Sequence, residues 1–215
     1  MKNILLIIGL FLLAPQIHAM KFRTYSLAEL VESADAIVIA RINVRDGAIR
    51  ANIHRSLKGH AGTDVVVDSF SVRTEDKASF NNGETAILFL QKEENGRRLL
   101  VGYGEQGKWP KTIDKWPYSA VHVVTIKKVE EAIEMLLKLN SKTLDEKVEK
   151  IKSLLSSKDM FDQSCALEYL DACQDQKLKD SVLSEVNALR GSSKNQYLHA
   201  LCDSVNQTNR HSHFP

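Results

Sequence analysis

Hydrophobic positions follow two different periods along the chain, and the period changes near residue 126. Before this point, short runs of aliphatic and β-branched residues are separated by turn sequences such as Asp46-Gly47. Runs of this length between turn residues predict β-strands. From about Lys127 onward, apolar residues recur at intervals of three and four, which predicts amphipathic helices. The pattern therefore predicts an α+β protein with a β-rich first part and a helical second part.

The first part is predicted to begin with a short helix and to continue as five or six strands. Ser26 and Glu29 form a capping-box pattern, which predicts a helix over about residues 26–33. Short strands linked by tight turns are typical of a small antiparallel barrel or sandwich. The predicted strands lie near residues 36–44, 49–57, 65–72, 85–90, 99–103 and 121–126.

Five helices are predicted in the second part. Thr143 with Glu146, and Ser193 with Gln196, match the capping-box pattern, so a helix is expected to begin at each place. Polar connections of a few residues separate the helices, and short connections favour antiparallel packing of neighbours. The predicted helices lie near residues 127–139, 143–156, 160–174, 177–190 and 194–206.

The first nineteen residues match a secretory signal peptide. Lys2 precedes an uncharged apolar run over residues 4–15, and the small residue Ala19 follows. A membrane-spanning helix takes about 20 apolar residues, so this run favours cleavage, with an uncleaved anchor as the alternative. The mature chain, from Met20, is expected in the periplasm or outside the cell, without stable membrane insertion. The predicted division is a signal peptide (1–19), an OB-like β-barrel domain (20–125) and a helical domain (126–215).

Composition excludes several classes of protein. The chain has 215 residues, of which 43% are hydrophobic and 26% are charged, and this does not match disordered, collagen-like or disulfide-dense proteins. With 29 basic and 27 acidic residues, the net charge of +2 does not indicate nucleic acid or an anionic membrane as a partner.

Three cysteines allow at most one intramolecular disulfide in an oxidising compartment. Cys165 and Cys173 are eight residues apart on one predicted helix, or about 12 Å at the rise of an α-helix. A disulfide needs Cα atoms within about 7 Å, so these two cannot pair if the helix is continuous. Two states are left open: a disulfide between Cys202 and one of the other two cysteines, or three buried thiols.

The sequence contains no His-Glu-x-x-His, no Gly-x-Ser-x-Gly and no cysteine pair with zinc-finger spacing. Residues 102–108 (GYGEQGK) resemble a phosphate-binding loop, but Trp109 follows where that loop needs Ser or Thr. We interpret these glycines as turns or bulges of the barrel. No catalytic residue, metal or cofactor is therefore predicted, and the protein is not expected to be an enzyme.

A near-repeat of aromatic, basic and proline residues is the best candidate for a binding surface. Trp and Tyr anchor many interfaces, and Pro reduces the entropy that a loop loses on binding. In the alternative interpretation, both tryptophans fold back to close the barrel or to join it to the helices, because large aromatic side chains are mostly buried. The candidate partner-binding residues are Lys108, Trp109, Lys111, Lys115, Trp116 and Tyr118.

The order of elements over residues 24–109 resembles an OB barrel of the type found in tissue inhibitors of metalloproteinases and netrin modules. The resemblance is carried by residues 27–41, 53–59, 83–90 and the Gly102-Tyr-Gly104 sequence. In the animal inhibitors, an N-terminal cysteine chelates the zinc of the protease. Here the predicted mature terminus is Met20, and residues 20–125 contain no cysteine.

The helical part resembles HEAT-type repeats more weakly, through residues 151–157 and 164–170, with a generic helical bundle as the alternative.

Together these patterns predict an exported, non-enzymatic binding module with another exported protein as its partner. One alternative is an inhibitor of an exported hydrolase or protease that inserts Met20 and its neighbours into a cleft. The other is a hydrolase with a pocket of converging ionisable groups.

Overall fold

The computed structural model describes residues 25–46, 48–68, 79–92, 98–102, 107–110, 112–113 and 124–211. These residues form a closed five-stranded β-barrel followed by a helical region, which confirms the predicted α+β fold class. The predicted signal peptide lies outside the described residues. The strands are β1 (Ala36–Arg45), β2 (Ala48–Lys58), β3 (Asp64–Asp68), β4 (Thr85–Lys92), β5 (Arg98–Leu100), β6 (Lys108–Pro110), β7 (Thr112–Ile113) and β8 (Val124–Thr125). The helices are α1 (Leu27–Ser33), α2 (Ile126–Asn140), α3 (Leu144–Leu155), α4 (Met160–Ala172), α5 (Gln176–Ser192) and α6 (Gln196–His211).

The barrel closes because β1 pairs on both of its edges, antiparallel to β2 and antiparallel to β4. From β2 the sheet continues to β3, which pairs in parallel with β5, and β5 returns to β4. The order around the barrel is therefore β1, β2, β3, β5, β4 and back to β1. This order loosely fits the OB pattern. Strand β6 adds to β4, and β7 pairs with β8 separately.

Strands β1 and β4 are apolar on both faces because each face packs against a different core. In β1, Val38 and Ala40 point into the barrel, whereas Ile37 packs against the helices. In β4, Leu88 points into the barrel and Phe89 faces the helices. A strand buried on both faces appears in the sequence as a continuous apolar run, which is why both strands could be predicted.

Helices α4 and α6 run in the same direction, although they are separated by α5. The hydroxyl of Tyr197 donates to Glu168 over 2.8 Å, and that of Ser204 donates to Asp171 over 2.8 Å, so residue numbers rise together along both helices.

Helix α2 is parallel to α4 for the same reason. Lys128 pairs with Asp162 near the start of both helices, and Tyr169 bonds to Asn140 near their ends. Helices α2, α4 and α6 thus run in the same direction. Helices α3 and α5 are linked by an ion pair between Lys152 and Glu185, with a nitrogen–oxygen distance of 3.0 Å.

The barrel and the helices share one continuous hydrophobic core. Side chains from α1, from the outer faces of β1 and β4 and from every helix of the second part belong to a single cluster. The predicted boundary at residues 125 and 126 therefore coincides with the start of α2 but not with a break in the core. Within the described residues, none of the helices is both long and apolar enough to cross a membrane.

Two predictions about element ends are wrong. Of the strand predicted over residues 121–126, Val124 and Thr125 form β8, and residues 121–123 lie outside the described residues. The predicted end is one residue too late, because Thr125 accepts from the amide of Lys128 as an N-cap and Ile126 begins α2. Helix α6 was expected to start with a capping box at Ser193. Its first-turn amides instead bond to the side chain of Asn195. The capping boxes at Ser26 and Thr143 are confirmed.

Candidate binding site

Trp109, a predicted partner-binding residue, is buried in the shared core. Its side chain is 2% exposed, and its ring centroid lies 5.8 Å from that of Phe89. The indole therefore packs between the barrel and the helices, as in the alternative interpretation of this tryptophan, and is not exposed on the surface.

Lys108 is also buried, and its ammonium group is held inside the fold. The Nζ atom lies 2.6 Å from Oε1 of Glu84, donates to the carbonyl oxygen of Ser79 and lies 4.9 Å from the ring centroid of Phe80. Lys108 and the next two residues form β6 and not the helix that a phosphate-binding loop requires.

Gly107 precedes Lys108 at a close backbone contact, where an added Cβ would overlap with the carbonyl oxygen of Val101. This contact supports the interpretation of Gly107 as part of a barrel turn. The other predicted partner-binding residues lie outside the described residues, so their role stays a prediction: Lys111, Lys115, Trp116 and Tyr118.

A cavity of about 530 Å³ lies where the barrel segment meets the helices, and we name it the junction cavity. It is lined by both ends of α1, by the last parts of α2 and α4, and by the two residues that follow α4. None of these segments carries a recognisable motif, and they are far apart in sequence. The lining residues are Ala28, Val31, Glu32, Leu136, Asn140, Tyr169, Ala172, Cys173 and Gln174.

The polar groups of the junction cavity come from its rim. The hydroxyl of Tyr169 donates to Oδ1 of Asn140 over 3.4 Å, and the thiol of Cys173 donates to the carbonyl of Leu170 over 3.5 Å. Burial raises the pKa of Tyr169, and the neighbouring Cys173, Asp175 and Glu32 add to this increase. Burial also raises the pKa of Cys173, so the thiol is a poor nucleophile at neutral pH.

Next to this cavity, the buried carboxylate of Glu168 holds α1 against the helices. It accepts from the backbone amide of Leu27 over 3.1 Å and from the hydroxyl of Tyr197 over 2.8 Å. Burial raises the pKa of Glu168 to about 7, although the hydrogen bonds from Tyr197 and Leu27 pull it down. Three helices that are distant in sequence thus meet at one carboxyl group.

Glu168 is not among the predicted site residues, although the sequence contains a signal for its burial. It is the charged residue in the apolar stretch Cys165-Ala-Leu-Glu-Tyr-Leu170. A helix segment that is apolar on all sides is buried, so a carboxylate inside it must find hydrogen-bond donors.

A second cavity, of about 610 Å³, lies between β8 and the start of α4, and we name it the β8–α4 cleft. It combines apolar side chains with a charged rim. At the rim, Nζ of Lys128 lies 2.6 Å from Oδ2 of Asp159 and 2.9 Å from Oδ1 of Asp162. Burial lowers the pKa of Lys128, but the hydrogen bonds to both aspartates outweigh it, so the pKa is raised. The lining residues are Val124, Thr125, Lys128, Lys158, Asp159, Met160 and Phe161.

All three cysteines are unpaired in this structure, with Cys165 and Cys202 buried and Cys173 partly exposed. Among the described residues, no group of three or more His, Cys, Asp or Glu side chains is arranged to hold a metal ion. In comparisons with known proteins, no family model matches the chain and no curated protein shows significant similarity to it.

Proposed function

We propose that the protein is an exported, non-enzymatic binding module and that its partner is another exported protein. The observation that carries this proposal is the β8–α4 cleft, in which apolar groups from Val124, Met160 and Phe161 are bordered by charged residues. Protein interfaces combine an apolar centre with a polar rim in the same way.

The rim of the cleft is fixed in place before a partner binds. Lys128 ties the first turn of α2 to Asp159 and Asp162 at the start of α4, and its ammonium lies 5.8 Å from the ring centroid of Phe161. Side chains that are already ordered lose less entropy on association, so more of the contact energy remains as affinity.

The position of the cleft residues in the chain also supports the cleft as the binding surface. The cleft is bordered by Val124 and Thr125, and the ten residues before Val124 include Lys115, Trp116 and Tyr118 of the predicted binding segment. The signal-peptide pattern of residues 1–19 supports export.

The barrel closure is compatible with the resemblance to netrin-type modules, which we retain as a proposal. The inhibitor hypothesis depends on Met20, which lies outside the described residues. The inhibitor hypothesis stays an alternative, and the experiment described next can separate it from the binding-module hypothesis.

Capture of a partner by the mature protein tests the proposal. We would pull down proteins from the native envelope or medium with a photo-crosslinker placed at Lys127, an exposed position in the first turn of α2, and compare Lys158→Ala with Met160→Ala. Each substitution should reduce capture of the same crosslinked protein roughly tenfold, which corresponds to about 1.4 kcal/mol. Lys177→Ala, an exposed position on α5, is the matched control and should capture as the wild type does.

Circular dichroism would establish that each variant is folded. Undiminished capture by both cleft variants would overturn the cleft as the binding surface. Loss of capture on deletion of residues 20–24, with the cleft variants unaffected, would favour the inhibitor hypothesis instead.

A further inference from the structure

An exposed turn before β4, at residues 81–84, is bonded to the second half of β1. The amide of Gly83 donates to the carbonyl oxygen of Ile42 over 2.7 Å. The amide of Val44 donates to Oδ1 of the Asn82 side chain over 3.1 Å. The two central residues of the turn are therefore both held by the barrel, although both are exposed to solvent.

The backbone of this turn has type II geometry. The amide of Glu84 donates to the carbonyl oxygen of Asn81 over 3.2 Å, which closes the turn. Gly83 has a φ of 83°, whereas Asn82 before it has a negative φ. A positive φ at the third position alone defines type II and favours glycine there.

A largely buried ion pair also fixes the turn. The carboxylate of Glu84 lies 2.6 Å from Nζ of Lys108 and accepts from the amide of Asn81 over 3.1 Å. The same ammonium donates to the carbonyl oxygen of Ser79. The amide of Ile42 donates to the carbonyl oxygen of Glu84 over 2.8 Å. The turn therefore leaves β1 only if several of these bonds break together.

Asparagine followed by glycine is a chemically labile pair, because glycine has no side chain to hinder its backbone nitrogen. This nitrogen attacks Cγ of the asparagine, the bond from Cγ to Nδ2 breaks, and ammonia leaves with the proton of the attacking amide. Water then opens the resulting ring to aspartate or isoaspartate. The reaction consumes water, releases ammonia and needs no other reactant.

The folded turn opposes this reaction at Asn82. Ring closure needs Cβ of Asn82 and the nitrogen of Gly83 on the same side of the Cα–C bond. In a type II turn the ψ of the second residue is about +120°, which keeps these two atoms apart. Rotation about this bond would also break the hydrogen bonds to Ile42 and Val44. The reaction is therefore blocked while the turn is bound to β1.

We propose that Asn82 is a deamidation site that reacts only when the turn before β4 detaches from β1, and that the reaction then keeps the turn detached. Isoaspartate lengthens the backbone before Gly83 by a methylene group, so the amide of Gly83 no longer aligns with the carbonyl of Ile42. The modification thus makes a transient opening permanent. It is independent of the β8–α4 cleft and of a protein partner.

Peptide mass spectrometry of the mature protein, incubated at mildly alkaline pH, tests the first half of the proposal. The sequence contains a second pair of this kind, Asn95-Gly96, which serves as the reference in urea. In urea the two asparagines should react at similar rates. In the folded protein Asn82 should react roughly thirtyfold more slowly than in urea, because at least two ordinary hydrogen bonds must break first.

Glu84→Gln is the deciding variant, because it removes the charge opposite Lys108 and leaves the reacting sequence unchanged. It should speed deamidation of Asn82 about fivefold in the folded protein and have no effect in urea. Asp64→Asn removes the exposed ion pair with Arg50 elsewhere on the barrel, so it is the matched control and should have no effect. Circular dichroism would establish that both variants are folded.

Hydrogen exchange tests the second half of the proposal. After separation of the modified protein by ion exchange, the peptide that contains Ile42 and Val44 should exchange faster in molecules with isoaspartate than in unmodified molecules. Asn82→Asp adds the same charge with a normal backbone, so it should exchange as the wild type does.

Equal rates at Asn82 in the folded protein and in urea would overturn the proposal, because the reaction would then need no opening. An unchanged rate in folded Glu84→Gln would overturn it too. Unchanged exchange in the isoaspartate form would show that the turn binds back and would overturn the second half. The wild-type rates and the exchange measurement decide the question even if the variant does not fold.

Discussion

Burial of Trp109 means that this tryptophan contributes to the stability of the fold. Trp109 is 2% exposed and packs against Phe89 in the core that joins barrel and helices. Trp109→Ala should therefore lower the free energy of unfolding by about 3–5 kcal/mol, the usual cost of truncating a buried aromatic side chain. Trp109→Phe should cost less because it leaves a smaller cavity. Urea denaturation followed by circular dichroism measures both.

The matched variant Trp116→Ala tests the other half of the aromatic near-repeat. If Trp116 contacts a partner, capture falls while the urea midpoint stays at its wild-type value. A midpoint for Trp109→Ala equal to that of the wild type would contradict the burial of Trp109.

The three thiols should differ sharply in reactivity. Burial raises the pKa of all three, and that of Cys202 reaches about 11. Cys173 is partly exposed, so native protein should react slowly with maleimide at one position, and denatured protein at three positions. Mass spectrometry of the labelled peptides identifies the site, and Cys173→Ser should abolish native labelling. Rapid native modification of Cys165 or Cys202 would show that α4 and α6 are not packed as described.

Helix starts show where a local pattern is sufficient and where it is not. Thr143 and Glu146 form the capping box that their spacing predicts, whereas the same spacing at Ser193 does not cap α6. The hydroxyl of Ser193 instead accepts from the amide of Asn195, which itself caps the helix. Two acceptable caps lie two residues apart in the sequence, and packing of α6 against α4 and α5 selects between them.

This choice can be tested by two alanine substitutions. Asn195→Ala should lower the free energy of unfolding by about 1 kcal/mol, because it leaves the first-turn amides of Tyr197 and Leu198 without their acceptor. Ser193→Ala should cost clearly less. Urea denaturation of both proteins gives the comparison, and the reverse order would restore Ser193 as the cap.

Most long elements could be predicted from the sequence because their patterns are local. β1 and β4 are apolar runs, and every helix of the second part has apolar residues at helical spacing. Strand β6 could not be predicted, since Lys108, Trp109 and Pro110 lack strand periodicity and are extended because they pair with β4. Burial of Trp109 depends on the same long-range pairing.

The candidate sites were less predictable than the fold. The junction cavity is built from residues near positions 30, 138 and 171, and nothing in any one of these segments indicates that their ends converge. Convergence follows from the packing of α1, α2 and α4 against one another, which is a tertiary property. The sequence could only indicate that Glu168 is buried. It could not indicate which amide and which hydroxyl donate hydrogen bonds to its carboxylate.

Across the whole molecule, Glu168 couples the helix that precedes the barrel to two helices of the second part, and it makes this coupling depend on pH. It joins α1, α4 and α6, and the carboxylates of Glu29 and Asp171 add to the burial that raises its pKa from 4.5 to about 7. Because the folded protein holds this proton more tightly than the unfolded chain does, protonation stabilises the fold. The stabilisation is complete below pH 4.5 and is lost as the pH rises through about 7.

Glu168→Gln isolates this contribution, because the amide can still accept a hydrogen bond but does not titrate. Between pH 4.5 and 8 the wild type should lose about 3 kcal/mol more unfolding free energy than the variant does. Urea denaturation of both proteins at half-unit intervals of pH gives the two curves, and groups other than Glu168 affect both equally. The curves should separate most steeply between pH 4.5 and 7, the interval between the ordinary and the folded pKa. Parallel curves throughout would mean that the carboxyl group is solvated, and the contact of α1 with α4 would then have to rest on apolar packing alone.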